Sequence, residues 1–122
     1  MSQPSILIVD DQLAMRRMFK AIFVDAPYDV DLAEDGLIAY RAAQGKRYDL
    51  VLTDYHMPNC NGIELIKRLR KLSKYNGVPI LVVSTESNSN KKSEGKEAGA
   101  NGWIVKPIDR DVLLPAVERL LN

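Results

Sequence analysis

Cysteine is nearly absent from this chain, and long apolar runs and a sizeable net charge are missing too. Cys60 is the only cysteine among 122 residues, which excludes an intrachain disulfide and a thiolate metal cluster and fits a cytoplasmic location. The longest apolar runs have about five residues, too short to cross a bilayer. The formal net charge of +1 provides no long-range field that would gather nucleic acid or a membrane surface.

Two kinds of catalytic site are disfavoured in the same way. A catalytic thiol at Cys60 would need the single histidine, His56, as its partner. No glycine-rich loop follows the first apolar run, which argues against a dinucleotide or nucleoside triphosphate site. Residues 1–4 lack the charged and apolar regions of a signal peptide.

The length and the composition suit one globular domain over residues 1–122, with 46% hydrophobic and 27% charged residues. Short apolar runs alternate along the chain with segments of helical spacing. This alternation predicts an α/β fold, a doubly wound five-stranded parallel sheet with helices on both faces. The predicted strands are residues 5–9, 30–33, 50–52, 79–83 and 102–105.

Apolar residues at helical spacing follow four of these strands. They predict helices over residues 13–24, from Gly36 to Gly45, from Gly62 to Gly77, and from about Asp109 onward. The second of these helices is predicted to face inward with Leu37, Ile38, Tyr40 and Ala43. Residues 86–98 contain no Val, Ile, Leu or Met. A helix there could bury very little, and packing is the main source of helix stability. This segment is therefore predicted to be the least stable part of the domain.

Polar side chains stand at the carboxyl ends of four predicted strands. In a parallel sheet these ends share one edge, which is where open α/β sheets bind their ligands. Each group alone has an ordinary interpretation as a helix cap, a turn hydroxyl or an exposed strand-end lysine. Their common edge favours a single site, made of Asp10 and Asp11, Asp54, Ser84 and Thr85, and Lys106.

The residue types at this edge point to phosphate chemistry. Three crowded carboxylates cannot all ionise cheaply without a cation, and ligands that are all oxygen atoms favour Mg²⁺. A lysine and a hydroxyl can bind phosphoryl oxygens. Asp54 then becomes the natural nucleophile, and its product would be an aspartyl phosphate.

Five motifs carry a resemblance to a known family. The chain resembles, over its whole length, the receiver domain of bacterial two-component response regulators, with the fold of the single-domain chemotaxis regulator. That fold implies a flavodoxin-like sheet with strand order 2-1-3-4-5. The motifs are the acidic pair in Ile-Leu-Ile-Val-Asp10-Asp11, the acceptor in Leu-Val-Leu-Thr-Asp54-Tyr-His-Met-Pro58, Asn61-Gly62, Leu-Val-Val-Ser84 and Val105-Lys106-Pro107.

The resemblance implies a role for each matching residue in the metal and phosphoryl site. Asp54 matches the phosphoacceptor, and Lys106 matches the lysine that pairs with a phosphoryl oxygen. Asp10 and Asp11 match the pair that holds Mg²⁺ together with Asp54 and the backbone carbonyl of His56.

Two further positions match the switch of the family. Ser84 corresponds to the hydroxyl that moves toward the phosphoryl group, although Thr85 beside it leaves the register open. Trp103 corresponds to the aromatic switch residue, usually Tyr or Phe, and an ordinary half-buried strand aromatic is the alternative. The Lys106–Pro107 bond matches a cis peptide.

These matches predict a phosphorylation-activated signalling switch. Its partners would be a histidine kinase or phosphotransfer protein and a downstream protein target, contacted through the face formed by strand 5 and helices 4 and 5. It would catalyse only its own phosphoryl transfer and dephosphorylation. Two alternatives remain: a Mg²⁺-dependent phosphatase with an aspartate nucleophile, and an interaction module that works without phosphorylation. Such phosphatases carry Asp-x-Asp after the first strand, whereas Asp10 and Asp11 are adjacent.

Overall fold

The computed structural model describes residues 3–122, and these form one parallel sheet covered by helices on both faces. The strand order is β2-β1-β3-β4-β5 and all pairs are parallel, which confirms the predicted fold class. The strands are Ser5–Val9 (β1), Asp29–Ala33 (β2), Leu50–Thr53 (β3), Ile80–Ser84 (β4) and Gly102–Val105 (β5). The helices are Leu13–Phe23 (α1), Gly36–Gly45 (α2), Gly62–Arg70 (α3), Ser89–Ala98 (α4) and Arg110–Leu121 (α5), with a 3₁₀ turn at Ser73–Tyr75.

Strands β1, β3 and β4 are buried along their whole length because helices cover both faces of the sheet. This is why their sequences are nearly continuous apolar runs rather than alternating patterns. Successive side chains still point to opposite faces, so each strand contributes to two separate cores. Leu7 and Val51 lie in the core shared with α2 and α3, whereas Ile8 and Leu52 lie in the core shared with α1 and α5.

The prediction that α3 extends to Gly77 is wrong, because the helix ends at Arg70. The chain then turns so that the Tyr75 ring enters the core, where it is fully buried. The Tyr75 hydroxyl donates to the Lys46 carbonyl at 2.8 Å and accepts from the Tyr48 amide at 3.2 Å. A helix continuing past Arg70 would not place the ring at these backbone groups.

The predicted inward face of α2 is confirmed at Ala43 and at the partly buried Tyr40 but is wrong at Leu37 and Ile38. Leu37 and Ile38 are 36% and 39% exposed, whereas Ala39 and Ala43 are fully buried. The helix packs too closely for larger side chains, since a Cβ built on Gly36 would lie 2.4 Å from the Cys60 carbonyl oxygen. Small residues, rather than the most hydrophobic ones, therefore form the buried face of α2.

Residues 86–98 do contain a helix, α4, although it buries only Gly95 and Ala98. Within residues 3–122 the longest helix has 12 residues, and no helix combines the length and the apolar character needed to span a bilayer. The Lys106–Pro107 peptide bond is cis, as predicted.

Candidate functional site

The carboxyl ends of the strands bring together the polar residues that the sequence places far apart. Asp10 follows β1, Asp54 follows β3 and Lys106 follows β5, while Ser84 is the last residue of β4. The ladder fixes these positions: the Asp54 amide donates to the Val9 carbonyl at 2.9 Å, and the Lys106 amide donates to the Ser84 carbonyl at 2.7 Å.

Lys106 joins the two buried carboxylates. Its ammonium Nζ lies 2.9 Å from Asp10 Oδ2 and 3.3 Å from Asp54 Oδ2. Asp10 is 1% exposed and Asp54 is 8% exposed, so the three charged groups are largely withdrawn from water. Such a pairing is needed, because an unpaired carboxylate at this depth would be strongly destabilising.

Asp54 presents its two oxygens differently. The Tyr55 amide donates to Oδ1 at 2.8 Å, and Oδ2 faces Lys106. Burial raises the pKa of the Asp54 carboxyl above its ordinary value; the Lys106 ammonium opposes this shift, and the Asp10 carboxylate adds to it. An ionised Asp54 is therefore held at a free-energy cost, which a cation beside it would reduce.

Gly62 lets helix α3 begin directly behind Asp54. A Cβ at position 62 would lie 2.3 Å from the Asp54 carbonyl oxygen, a distance that no side chain could tolerate. The Gly62 amide donates to the Tyr55 carbonyl at 2.9 Å, and Asn61 caps the helix by accepting from the Glu64 amide at 2.9 Å. The Asn-Gly motif therefore shapes the loop that holds Asp54.

Asp10, Asp11 and Asp54 form a cluster that fits a hard divalent cation. One carboxylate oxygen from each residue lies within 4.8 Å of the others, and Asp11 is the exposed member. With Lys106 they carry three negative charges and one positive charge when ionised, an excess that a divalent ion would neutralise. The donors are all oxygen atoms, which Mg²⁺ prefers.

A cleft of about 510 Å³ opens over this cluster. Asp54 and Lys106 line it, and His56 forms part of its rim. The His56 imidazole is exposed and packs edge-on against Tyr55, with ring centroids 4.6 Å apart. The metal-ligand role expected of the His56 backbone carbonyl stays a prediction. The other lining residues are Asp11, Gln12, Met15, Thr85 and Pro107.

The two candidate hydroxyl residues differ in burial and in contacts. Ser84 is fully buried, and its Oγ accepts a hydrogen bond from the Glu86 amide at 3.1 Å. Thr85 is exposed and lines the cleft. In this conformation the hydroxyl residue facing the cleft is therefore Thr85, and Ser84 is engaged with the loop that leads to α4.

Trp103 packs under α4 rather than in the cleft. Its indole Nε1 donates to the Glu86 carbonyl at 2.7 Å, and its ring lies 5.7 Å from that of Tyr55. A Cβ at position 95 would lie 3.1 Å from the indole, so Gly95 allows the helix to rest on this ring. The switch role predicted for Trp103 stays a prediction, but its contacts connect it to the loop after Ser84.

Two basic residues that contact this region are not indicated by any motif in the sequence. The Arg16 guanidinium on α1 donates to the backbone carbonyl of Asp10 at 2.8 Å. The Lys91 ammonium on α4 lies 4.8 Å from the centroid of the Tyr55 ring and 3.3 Å from its hydroxyl. Both belong to helices whose charged residues look like ordinary solvated faces. Helical spacing could have placed Arg16 near the start of α1, but it could not have shown that the guanidinium contacts the Asp10 carbonyl.

The fold and the site define a parallel α/β domain whose sheet edge carries an acidic, lysine-bridged cleft. The family model described as "Response regulator receiver domain" matches residues 6–118. The chemotaxis protein CheY of Pseudomonas aeruginosa PAO1 is 34% identical over 118 residues, which cover 96% of this chain and 95% of that protein. The chain therefore belongs to the response regulator receiver domain family.

Solved structures agree with this assignment. Chemotaxis protein CheY4 of Vibrio cholerae superposes with a TM-score of 0.94 at 40% identity, covering 98% of this chain and 100% of that one. The receiver domain of a Pseudomonas aeruginosa PAO1 sensor histidine kinase gives a TM-score of 0.90 at 27% identity, covering 99% of this chain and 98% of that one. That relative has a magnesium ion coordinated in its active-site cleft.

Proposed function

We propose that residues 1–122 form one receiver domain that is switched by phosphorylation of Asp54. The phosphoryl donor is a histidine kinase or a phosphotransfer protein, and the domain acts in the cytoplasm, where such donors present phosphohistidine. The observation that carries the proposal is the position of Asp54: its carboxylate lies within 4.8 Å of those of Asp10 and Asp11 and 3.3 Å from Lys106, at an open cleft.

The proposed transfer is an in-line displacement at phosphorus. A carboxylate oxygen of Asp54 attacks the phosphorus, the N–P bond of phosphohistidine breaks, and its electron pair stays on the imidazole. The product is an acyl phosphate on Asp54. Water later attacks the same phosphorus and releases inorganic phosphate, which restores the carboxylate. The domain thus catalyses only its own phosphorylation and dephosphorylation.

A divalent cation fits this site, and Mg²⁺ is the ion we propose. Asp10, Asp11 and Asp54, with the backbone carbonyl of His56, would hold it. When bound, it neutralises charge on the phosphoryl oxygens. Lys106 already stands between two carboxylates, so its ammonium can pair with a phosphoryl oxygen attached to Asp54 after only a small side-chain movement.

Ser84 and Trp103 provide the proposed route to the output surface. When Ser84 turns its hydroxyl toward a phosphoryl group, it gives up the bond from the Glu86 amide. The Glu86 carbonyl holds the Trp103 indole, so the α4 loop and β5 respond together. We propose that the downstream protein contacts the face formed by α4, β5 and α5, as the family resemblance implies.

Intact mass measurement after incubation with acetyl phosphate and Mg²⁺ tests the proposal. Wild type should gain the mass of one phosphoryl group, and Asp54→Asn should not. Asp25→Asn, which removes an exposed carboxylate away from the cleft, serves as the matched control and should be phosphorylated like wild type. An adduct of full yield on Asp54→Asn would refute the assignment.

The competing function is a phosphatase that turns over small phosphate esters with Asp54 as nucleophile. The adjacent spacing of Asp10 and Asp11 after β1 disfavours it, as does the position of Asp54 after β3 rather than after the first strand. Sustained release of phosphate from an aryl phosphate, many turnovers per protein molecule and lost in Asp54→Asn, would favour the phosphatase over the switch.

A further inference from the structure

The two aspartates after β1 are held in different ways. Asp10 is buried at 1% exposure, and its side chain is fixed at both oxygens: Oδ2 lies 2.9 Å from Lys106 Nζ, and Oδ1 accepts from the Gln12 amide at 2.9 Å. Asp11 is exposed. The direction in which the Asp11 carboxylate projects is therefore set mainly by the backbone on either side of it.

Arg16 fixes that backbone from helix α1. Its Nη1 donates to the carbonyl oxygen of Asp10 at 2.8 Å. This oxygen belongs to the peptide group that joins Asp10 to Asp11, so the guanidinium holds the plane from which Asp11 projects. The bond from the Gln12 amide to Asp10 Oδ1 restrains the next peptide group. Together the two bonds leave the backbone at Asp11 little freedom to rotate.

We propose that Arg16 is a positioning residue that orients the Asp10–Asp11 turn so that Asp11 faces Asp54 across the cation site. This inference rests on the proposed function, in which the cluster binds Mg²⁺. Hydrogen bonds from outside the ligand set commonly orient metal ligands in this way. Arg16 acts through the Asp10 carbonyl and contributes no ligand atom.

Because Arg16 is positively charged, the proposal can be tested by whether its removal weakens or strengthens Mg²⁺ binding. A guanidinium beside the cluster repels a cation, so by charge alone its removal would strengthen Mg²⁺ binding. If Arg16 positions the Asp10–Asp11 turn, its removal weakens Mg²⁺ binding, because the freed turn must then be ordered when the ion binds, at a cost in conformational entropy. The neighbouring Arg17 supplies the matched control: it carries the same charge on the same helix but is exposed to solvent.

Titration calorimetry with Mg²⁺ on wild type, Arg16→Gln and Arg17→Gln measures the difference. We expect Arg16→Gln to bind Mg²⁺ roughly tenfold more weakly, and Arg17→Gln to bind as tightly as wild type or slightly more tightly. In the metal-free state, amide exchange at Asp11 and Gln12 should accelerate in Arg16→Gln and not in Arg17→Gln.

Equal or tighter Mg²⁺ binding by Arg16→Gln overturns the inference, and so does an equal loss in Arg17→Gln. If Arg16→Gln does not fold, Arg16→Lys is compared with Arg17→Lys. Weaker binding by Arg16→Lys alone supports the inference, and equal binding by the pair overturns it. Absence of Mg²⁺ binding in wild type refutes the metal part of the proposed function and the inference with it. Normal wild-type binding with no effect at Arg16 refutes the inference alone.

Discussion

Strands β1 and β3 and helix α4 lie near the same cleft but are stabilised by opposite means. Every residue of β1 and β3 is buried, and their apolar side chains fill both cores. Helix α4 buries only Gly95 and Ala98. Burial of apolar area is the main favourable term in folding, so the strands and the helix should differ widely in local stability.

Polar contacts take the place of apolar burial around α4. At its carboxyl end, the Arg70 guanidinium donates to the Gly99 carbonyl through Nε at 3.1 Å and through Nη2 at 2.8 Å. At its amino end, Trp103 holds the Glu86 carbonyl. Each such bond contributes about 1 kcal/mol net. These hydrogen bonds can fix the position of α4 on the domain while the free energy of its local unfolding stays low.

This difference suits the switch that we propose. In that proposal the carboxylates stay in place for metal binding and phosphoryl transfer, and deeply buried strands hold them there. The proposed signalling segment has to change its population when a phosphoryl group arrives, and segments with low local stability do so at small free-energy cost. We therefore expect the most responsive part of the molecule to be the one with the fewest apolar anchors.

Amide exchange should show the largest contrast between the two regions. Amides in β1 and β3 should exchange only through opening close to global unfolding, whereas those of α4 should exchange through local opening that costs far less. Hydrogen–deuterium exchange resolved by NMR measures both in one sample. Equal protection of α4, β1 and β3 would show that these regions do not differ in local stability.

Core truncation should reproduce the contrast in unfolding free energy. Leu52→Ala in β3 removes a fully buried side chain and should cost about 2–5 kcal/mol. Ala98→Gly at the end of α4 should cost about 1 kcal/mol or less, mainly through backbone entropy. Urea unfolding of the two variants provides the test, and similar losses would show that α4 is more tightly coupled to the core than its burial indicates.

The sequence was sufficient for the sheet and for the edge where its polar residues meet. Uninterrupted apolar runs such as residues 6–9 and 50–52 indicate strands buried on both faces, and the parallel arrangement then brings Asp10, Asp54 and Lys106 together. These inferences depend on one-dimensional periodicity and on topology, both of which can be read from residue order.

Other features depend on close packing in three dimensions, which cannot be inferred directly from the pattern of residues along the chain. The inward face of α2 was predicted to include Leu37 and Ile38, but they are exposed, and the small residue Ala39 is buried instead. The close approach of Gly36 to Cys60 favours small residues on this face. The early end of α3 follows from where the Tyr75 hydroxyl finds its partners. The bond from Arg16 to the Asp10 carbonyl depends on how α1 leaves β1.

Replacing Asp54, which follows the buried strand β3, should raise the stability of the metal-free protein and so widen the difference between the strands and α4. Because burial raises the pKa of Asp54, its contribution to stability is fully present below the ordinary carboxyl pKa and is lost as pH rises through the raised one. Asp54→Asn should therefore stabilise the metal-free protein at neutral pH, by about 1 kcal/mol, and flatten this pH dependence.

Thermal unfolding in the presence of a chelator, from mildly acidic to neutral pH, measures the effect of Asp54→Asn. Asp25→Asn removes an exposed carboxylate and should change stability little. Mg²⁺ should stabilise wild type more than Asp54→Asn, because the variant lacks one of the proposed carboxylate ligands. A less stable Asp54→Asn at neutral pH would mean that pairing with Lys106 outweighs the cost of burial.

Trp103 emission should report the smallest change, at the boundary between the two regions. The indole donates to the Glu86 carbonyl, and the Glu86 amide donates to Ser84 Oγ, so one residue connects the hydroxyl and the ring. If Ser84 turns toward a phosphoryl group, the Glu86 amide loses its hydrogen bond to Ser84 Oγ, and the environment of the indole should change. Trp103 is the only tryptophan, so its emission can be assigned without further labelling.

A beryllofluoride phosphoryl mimic with Mg²⁺ should shift the emission wavelength or intensity of wild type. The change should vanish in Asp54→Ala, which removes the attachment point, and should shrink in Ser84→Ala, which removes the hydroxyl. Thr85→Ala is the informative control because Thr85 already faces the cleft. If Thr85→Ala reduces the signal as much as Ser84→Ala does, the cleft hydroxyl shares the coupling. A response of equal size in Asp54→Ala would mean that the indole senses something other than the state of Asp54, since the connection through Glu86 depends on a group attached there.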